Sequence, residues 1–361
     1  MIYVLLLAII VFFKVLFFAF YVFNPQSFFR GGNDADYYDS YARGANYPTS
    51  SIWPDFLRAL NELGLYSREG VSFVMMLLGV IAIPLLVTRL SMLRGPIANN
   101  RVCMIAAIVV SFYPTLFYYA LDIYRDVLMV FLFLVGLVGI KAFIEARSAA
   151  GFLGSTLMVL VVAVVLFSFR GYLGFAFLLA FVCFRFVKFS KFSLMGYVVP
   201  MLIGLNVLFA AGVLKPVLNY RSLFNDVQSA TNLGIQFESV SRFIPDFMNS
   251  LLSQLFGFFY PNLSSVVAFV LESVPFCLGL FFLVRNRRFS NSLVDFVVVF
   301  SIVYSIIWLL GNDNLGTAMR LRMYSYIGVL IACAIVYQRK AYFFKVSTPQ
   351  PVAVNSDLLG R

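Results

Sequence analysis

The chain has 361 residues, 62% of them hydrophobic, with 42 phenylalanines and only 12% charged side chains. Lys and Arg number 27 against 16 Asp and Glu, a net charge of +11, but the basic residues are scattered over separate short loops, which disfavours a nucleic-acid surface. There is no histidine, so the commonest general base and metal ligand is missing, and the four cysteines lie in apolar runs with no C-x-x-C spacing, which indicates neither a disulfide framework nor a zinc site.

A hydrocarbon core of roughly 30 Å takes about 20 residues at helical rise. Ten apolar runs are read as spans on that basis: 2–23, 70–89, 102–121, 127–144, 152–169, 172–187, 193–214, 263–284, 292–310 and 323–337. The expected fold class is all-α, a polytopic integral membrane bundle of about ten transmembrane helices. The first run carries Lys14 and no small-residue cleavage site follows it, so it reads as a retained anchor rather than a signal peptide. A loop over 24–69 follows. It opens with Gly31, Gly32, Asn33, Asp34, Asp36, Tyr37, Tyr38, Asp39, Tyr41 and Arg43. Further on, Trp53-Pro54 starts a short amphipathic helix with Phe56, Leu57, Leu60 and Leu63 on one face, expected to lie on the membrane.

Asp122, Arg125 and Asp126 fall in the tight connection between the third and fourth runs, after Tyr113-Pro114. Arg170-Gly171-Tyr172 joins the fifth and sixth. A second long loop, 215–262, holds Arg221, Asp226, Glu238, Arg242 and Asp246. Its stretch 251–260 is too short to span and reads as interfacial or re-entrant, ended by Pro261. Glu272 lies inside the eighth run, and Gly311, Asp313, Arg320 and Arg322 lie around the connection of the ninth to the tenth. Residues 1–345 read as one transmembrane domain, and the polar 346–361, with two prolines, as a disordered cytoplasmic tail. No internal repeat is evident.

Arg and Lys set the orientation. Arg89, Arg94 and Arg101, Lys141 and Arg147, Arg185, Lys188 and Lys191, Arg285, Arg287 and Arg288, and Arg339, Lys340 and Lys345 occupy alternate connections, which are placed in the cytoplasm with both termini. Every conspicuous acidic or mixed-charge motif then falls on the opposite, outer face. Arginines there run against the usual bias and sit beside carboxylates, which points to a shared polar cavity. Arg125, Arg170, Arg320 and Arg322 offer planar donor forks that match phosphate oxygens. Without histidine, Asp36 or Asp34 is the expected base for a sugar hydroxyl, Asp36 preferred, with Asp34 orienting the acceptor. Asp126, Asp313, Arg43, Tyr37 and Tyr38 complete the expected substrate site, and Tyr41, Tyr47 and Tyr66 add aromatic faces. Each motif also has a plain structural reading: helix caps for Asp34 and Asp36, an ion pair for Arg125 with Asp126, interfacial anchoring for Arg170, Arg320 and Arg322. Asp34, Asp36 and Asp39 are a set able to hold a divalent ion. Arginines alone are the favoured way to manage the phosphates, so no metal and no cofactor is expected.

The acidic stretch Asn33-Asp34-Ala35-Asp36 just after the first span resembles the C-type glycosyltransferase superfamily, polytopic enzymes that use polyprenyl-linked sugar donors and carry an Asp in the first outer loop. The stretch from Tyr113-Pro114-Thr115 to Arg125-Asp126, the stretch Asn314 to Arg322, and the ten-span layout are similar to bacterial polysaccharide-assembly proteins, including O-antigen polymerases. The chain departs from those polymerases in its Arg-to-Gly spacing: Arg221 to Gly234 is too long and Arg320 to Gly328 too short. It also lacks the His of the related ligases. The resemblance implies a membrane glycosyltransferase of the bacterial inner membrane. It would transfer glycan from undecaprenyl pyrophosphate to a lipid-linked repeat unit, with membrane lipid and a chain-length regulator protein as further partners. A transferase that moves one sugar from a polyprenyl monophosphate and a lipid-linked oligosaccharide flippase remain alternatives. A flippase is expected to carry charges deep in its spans.

Overall fold

The computed structural model describes residues 2–24, 33–49, 51–191, 194–222 and 231–347. Gly31, Gly32, Asp226 and the tail from 348 onward lie outside the described residues. Among the described residues the chain is helical, with no strand and one isolated antiparallel bridge, Asn232 to Asn314. Seven helices are long and apolar enough to cross a membrane, which makes this a multi-pass membrane protein.

In chain order the helices are α1 (Ile2–Phe23), α2 (Asn33–Ala42), α3 (Ile52–Glu62), α4 (Arg68–Ser91), α5 (Asn100–Ser111), α6 (Pro114–Tyr119), α7 (Arg125–Glu145), α8 (Ala149–Phe169), α9 (Gly171–Cys183), α10 (Leu194–Ala210), α11 (Lys215–Ser222), α12 (Phe243–Ser250), α13 (Leu263–Arg285), α14 (Ser292–Gly311) and α15 (Leu315–Ser347). The seven long apolar ones are α1, α4, α7, α8, α13, α14 and α15. The other three expected spans take different forms. The third is interrupted at Phe112–Tyr113, because Pro114 has no N–H to continue a helix and instead opens α6. The sixth is α9, 13 residues long. The seventh is α10, and its Val198–Ala210 part bends by 79° into α11.

Packing explains the order of burial. Of the seven long helices α15 is the most buried and α1 the least. Phe133, Phe177, Phe296, Phe300, Tyr304 and Tyr324 knit α7, α9, α14 and α15 together through edge and stacked ring contacts. Gly174 lets α9 approach α8 closely: a Cβ there would stand 2.4 Å from the Phe167 backbone nitrogen. The short helix α3 forms where the sequence places it, but its inner face is Trp53, Pro54 and Leu57, while Phe56 and Leu63 are exposed. It therefore packs on the protein rather than lying free. The Trp53 indole donates to the Ile123 carbonyl at 2.9 Å, which holds α3 against the turn before α7. Arg58 donates to the carbonyls of Tyr41 and Ala45, and Tyr41 donates to Asp55 at 2.7 Å, so α2 and α3 form one unit.

The basic connections meet at one end of the bundle. Lys141 donates to the Met92 carbonyl at 2.6 Å, Arg94 pairs with Glu145 at 3.1 Å, and Lys188 with Asp295 at 3.6 Å. The acidic and mixed-charge motifs meet at the opposite end, with α2, α3 and the segment 231–262. Phe243–Ser250 runs into a wider π turn over Leu251–Leu255, and the chain then turns back through 256–262 into α13.

Candidate functional site

Because Asp34, Asp36 and Asp39 stand on a helix, they diverge: at roughly 100° per residue, Asp34 and Asp36 are about 200° apart. Asp34 forms an ion pair with Arg320 of α15. Arg320 also donates from Nε to the Tyr119 hydroxyl at 2.9 Å, with its guanidinium 4.8 Å from the Tyr119 ring and 5.8 Å from that of Tyr124. Asp36 faces outward, its side chain 62% exposed, and accepts from Arg68 at 2.8 Å. Arg68 makes a two-pronged contact with the buried Asp122, at 2.9 and 2.6 Å. Asp39 accepts from Arg43 at 2.9 Å and from Tyr66 at 2.7 Å.

Arg125 and Asp126 open α7. Arg125 donates to the Phe169 carbonyl at 3.1 Å. Asp126 is buried and pairs with Arg170 at 3.3 Å. Arg170 occupies an extended residue between α8 and α9, where the break between two apolar helices leaves its side chain inside the protein. Its Nη1 has no hydrogen-bond partner among the described residues, and neither do the buried hydroxyls of Tyr304 and Tyr324. Tyr172, Tyr304 and Tyr324 all lie within electrostatic reach of Arg170. A buried donor left without an acceptor costs about 1–3 kcal/mol. Three together call for acceptor atoms from water or a ligand.

Tyr38 of α2 belongs to the same neighbourhood. Burial first, then Asp126 and Asp34, push its phenol up to about 12 against the opposing Arg125 and Arg170. At neutral pH it is a proton donor. Asp34, Tyr38, Arg125, Asp126, Arg170 and Arg320 thus form one cluster. Three guanidinium groups face two carboxylates, an excess of one positive charge. The arrangement suits an anion rich in acceptor oxygens.

Five expected site residues lie outside this cluster: Asp36, on Arg68, and four more. Arg322 is two residues beyond Arg320, hence about 200° around the helix, and it points into the bundle. There it pairs with Glu272 at 3.1 Å and donates to Ser273 at 3.2 Å. Both charged side chains are at most 2% exposed, and Glu272 also accepts the Thr115 N–H at 2.7 Å. Gly257 covers this pair with a φ of +77°; a Cβ there would meet Ser273 Oγ at 2.5 Å and Arg322 Nη1 at 3.0 Å. Asp313 pairs with the buried Arg221 and accepts the Gly234 N–H at 2.8 Å, which fastens the segment after 231 to the α14–α15 junction. Arg43 is largely exposed at the end of α2 and serves Asp39 alone among the ion pairs of the described residues. Tyr37 donates to the Pro48 carbonyl at 3.1 Å and packs with Tyr38, Tyr41 and Tyr47.

Arg68, Tyr119, Tyr304, Tyr324 and Trp308, which surround the cluster and its neighbouring carboxylates, carry no motif in the sequence. The last four sit in apolar runs where aromatic residues are the rule. The one available signal is the four-residue spacing of Tyr304 and Trp308, which puts two polar-tipped rings on one helix face. Among the described residues, no three Asp, Glu or Cys side chains gather to hold a metal ion. Compared with family models, with curated proteins and with solved structures, the chain matches none.

Proposed function

We propose that the chain is a membrane glycosyltransferase of bacterial surface-polysaccharide assembly, an O-antigen polymerase that uses undecaprenyl-pyrophosphate-linked glycan. The observation that carries the reading is the cluster of Arg125, Arg170 and Arg320 with Asp34 and Asp126, ringed by buried tyrosine hydroxyls, at one end of an apolar bundle. In this reading α5 with α6, α9, and α10 complete ten crossings in a C-type glycosyltransferase-like bundle. The clustered end faces away from the cytoplasm, and both termini lie inside. The arginines hold the pyrophosphate. As phosphate oxygens engage Arg320, the Asp34 carboxylate is released from its ion pair and takes the proton of the acceptor hydroxyl. That oxygen bonds to the anomeric carbon, the bond from that carbon to the phosphate oxygen breaks, and undecaprenyl pyrophosphate leaves with its charge on the arginines. The geometry favours Asp34 over Asp36 as the base, because Asp36 stands outside the cluster on Arg68.

The test is the lipopolysaccharide gel of a deletion strain. Loss of the ladder with a single repeat kept on the core supports a polymerase. Loss of the single repeat as well supports the flippase alternative, which one observation favours: the Glu272–Arg322 pair is buried where a transporter would carry charge. An unchanged repeat number with one sugar missing supports the single-sugar transferase.

A further inference from the structure

We propose that a cavity beside the arginine cluster is a sugar subsite that holds the pyranose ring bonded directly to the pyrophosphate. It has a volume of about 240 Å³ and is walled by Tyr172, Tyr220, Trp308, Asn312, Thr317 and Leu321. The assignment rests on the reading above, in which Arg170 and its neighbours hold phosphate.

The cavity adjoins the cluster through one shared side chain. The Arg170 guanidinium lies 5.8 Å from the Tyr172 ring centroid, and Tyr172 stacks on Tyr304 with centroids 6.2 Å apart. Tyr304 leads one helical turn on to Trp308, at 6.5 Å. A group bonded to a phosphate on Arg170 therefore has Tyr172 as its nearest wall on the cavity side.

The lining suits a sugar. Aromatic rings cover the C–H faces of a pyranose, and a few placed polar atoms read its hydroxyls. Trp308 Nε1, a donor, and Asn312 Oδ1, an acceptor, are both buried and have no partner among the described residues. A hydroxyl both donates and accepts, so a sugar whose hydroxyls reach these atoms offers each of them a partner. The volume is below the roughly 300–1,000 Å³ of pockets that take drug-sized molecules, which restricts the cavity to a single ring. The remaining sugars would leave past Tyr220, which is half-exposed.

The experiment uses the full chain in lipid nanodiscs. It measures the affinity for undecaprenyl pyrophosphate and for the undecaprenyl-pyrophosphate-linked repeat unit extracted from cells lacking the protein. Trp308→Phe keeps a ring and removes the N–H; Tyr172→Leu removes the stacking face and serves if the first variant fails to fold. Each is expected to weaken binding of the glycan-bearing lipid by roughly 3- to 10-fold and to leave the bare lipid within about twofold. Equal weakening of both lipids, or of neither, overturns the subsite. Arg170→Lys separates the two layers of the argument. If it leaves the affinity for bare undecaprenyl pyrophosphate unchanged, the phosphate reading falls. If it weakens that affinity while Trp308→Phe and Tyr172→Leu show no selectivity for the glycan, the sugar subsite alone falls.

Discussion

Replacing Glu272 by Ala strips Arg322 of its charged partner inside the bundle. The two side chains are at most 2% exposed and 3.1 Å apart, so the variant leaves a guanidinium in an apolar interior with Ser273 as its remaining acceptor. Breaking a buried pair from one side costs about 3–5 kcal/mol. The Thr115 N–H, 2.7 Å from the lost carboxylate, adds about 1–3 kcal/mol as an orphaned donor. The sum, about 4–8 kcal/mol, is a large part of a native stability of roughly 5–15 kcal/mol. At about 2–4 °C per kcal/mol in chains of 150–250 residues, and less in a longer one, the melting temperature in detergent should drop by roughly 5–10 °C. The double variant E272L/R322M is the decisive comparison. An apolar pair of similar volume is often neutral or better than the ion pair it replaces, so it should recover most of the loss. An E272A protein that melts within about 1 °C of wild type, or a double variant that melts below the single one, would refute the buried pair and its energetics.

Arg170→Lys should reduce glycan polymerisation at normal protein level, because the charge stays while the donor fork is lost; repeat-length analysis of surface glycan checks it, and wild-type lengths would leave Arg170 a structural residue. Asp34→Asn should slow transfer by roughly 100- to 10,000-fold, the contribution of a positioned base, and Asp36→Asn by far less, measured as turnover of lipid-linked substrate; the reverse order would return the role to Asp36. Gly174→Ala forces a Cβ to within 2.4 Å of the Phe167 backbone and should lower stability by about 1–3 kcal/mol through overpacking, seen as a lower melting temperature. Reporter fusions at 45 and 315 should report the outer side and fusions at 95 and 287 the cytoplasm; a cytoplasmic signal at 45 would invert the proposed orientation.

Much of the helical layout was legible because apolar runs of about 20 residues carry their own punctuation. Seven runs became helices of crossing length. The other three were harder to read for local reasons: Pro114 interrupts one, another ends at Cys183, and the third bends after Ala210. The site was legible as a list of charged residues but not as a set of partners. Arg320 and Arg322 look like one motif in sequence, yet helical rotation sends them to Asp34 and Glu272 on different elements. Asp34 and Asp36 are separated by the same rotation. The tyrosine hydroxyls around Arg170 left almost no trace in the sequence, because a tyrosine inside an apolar run reads as core until its neighbours are known.

The charge pairs also fix an order of manufacture. Chains emerge N-terminus first, and Asp34 waits 286 residues for Arg320, while Glu272 waits 50 for Arg322 and Arg221 waits 92 for Asp313. All three debts are settled by one stretch, from the α14–α15 junction through the first turns of α15. Until that stretch is synthesised and inserted, the earlier helices hold two carboxylates and a guanidinium without their counter-charges. A chain that stops before residue 313 is therefore not a smaller version of the protein but an unfinished one, with three charged groups unpaired and its arginine cluster lacking Arg320.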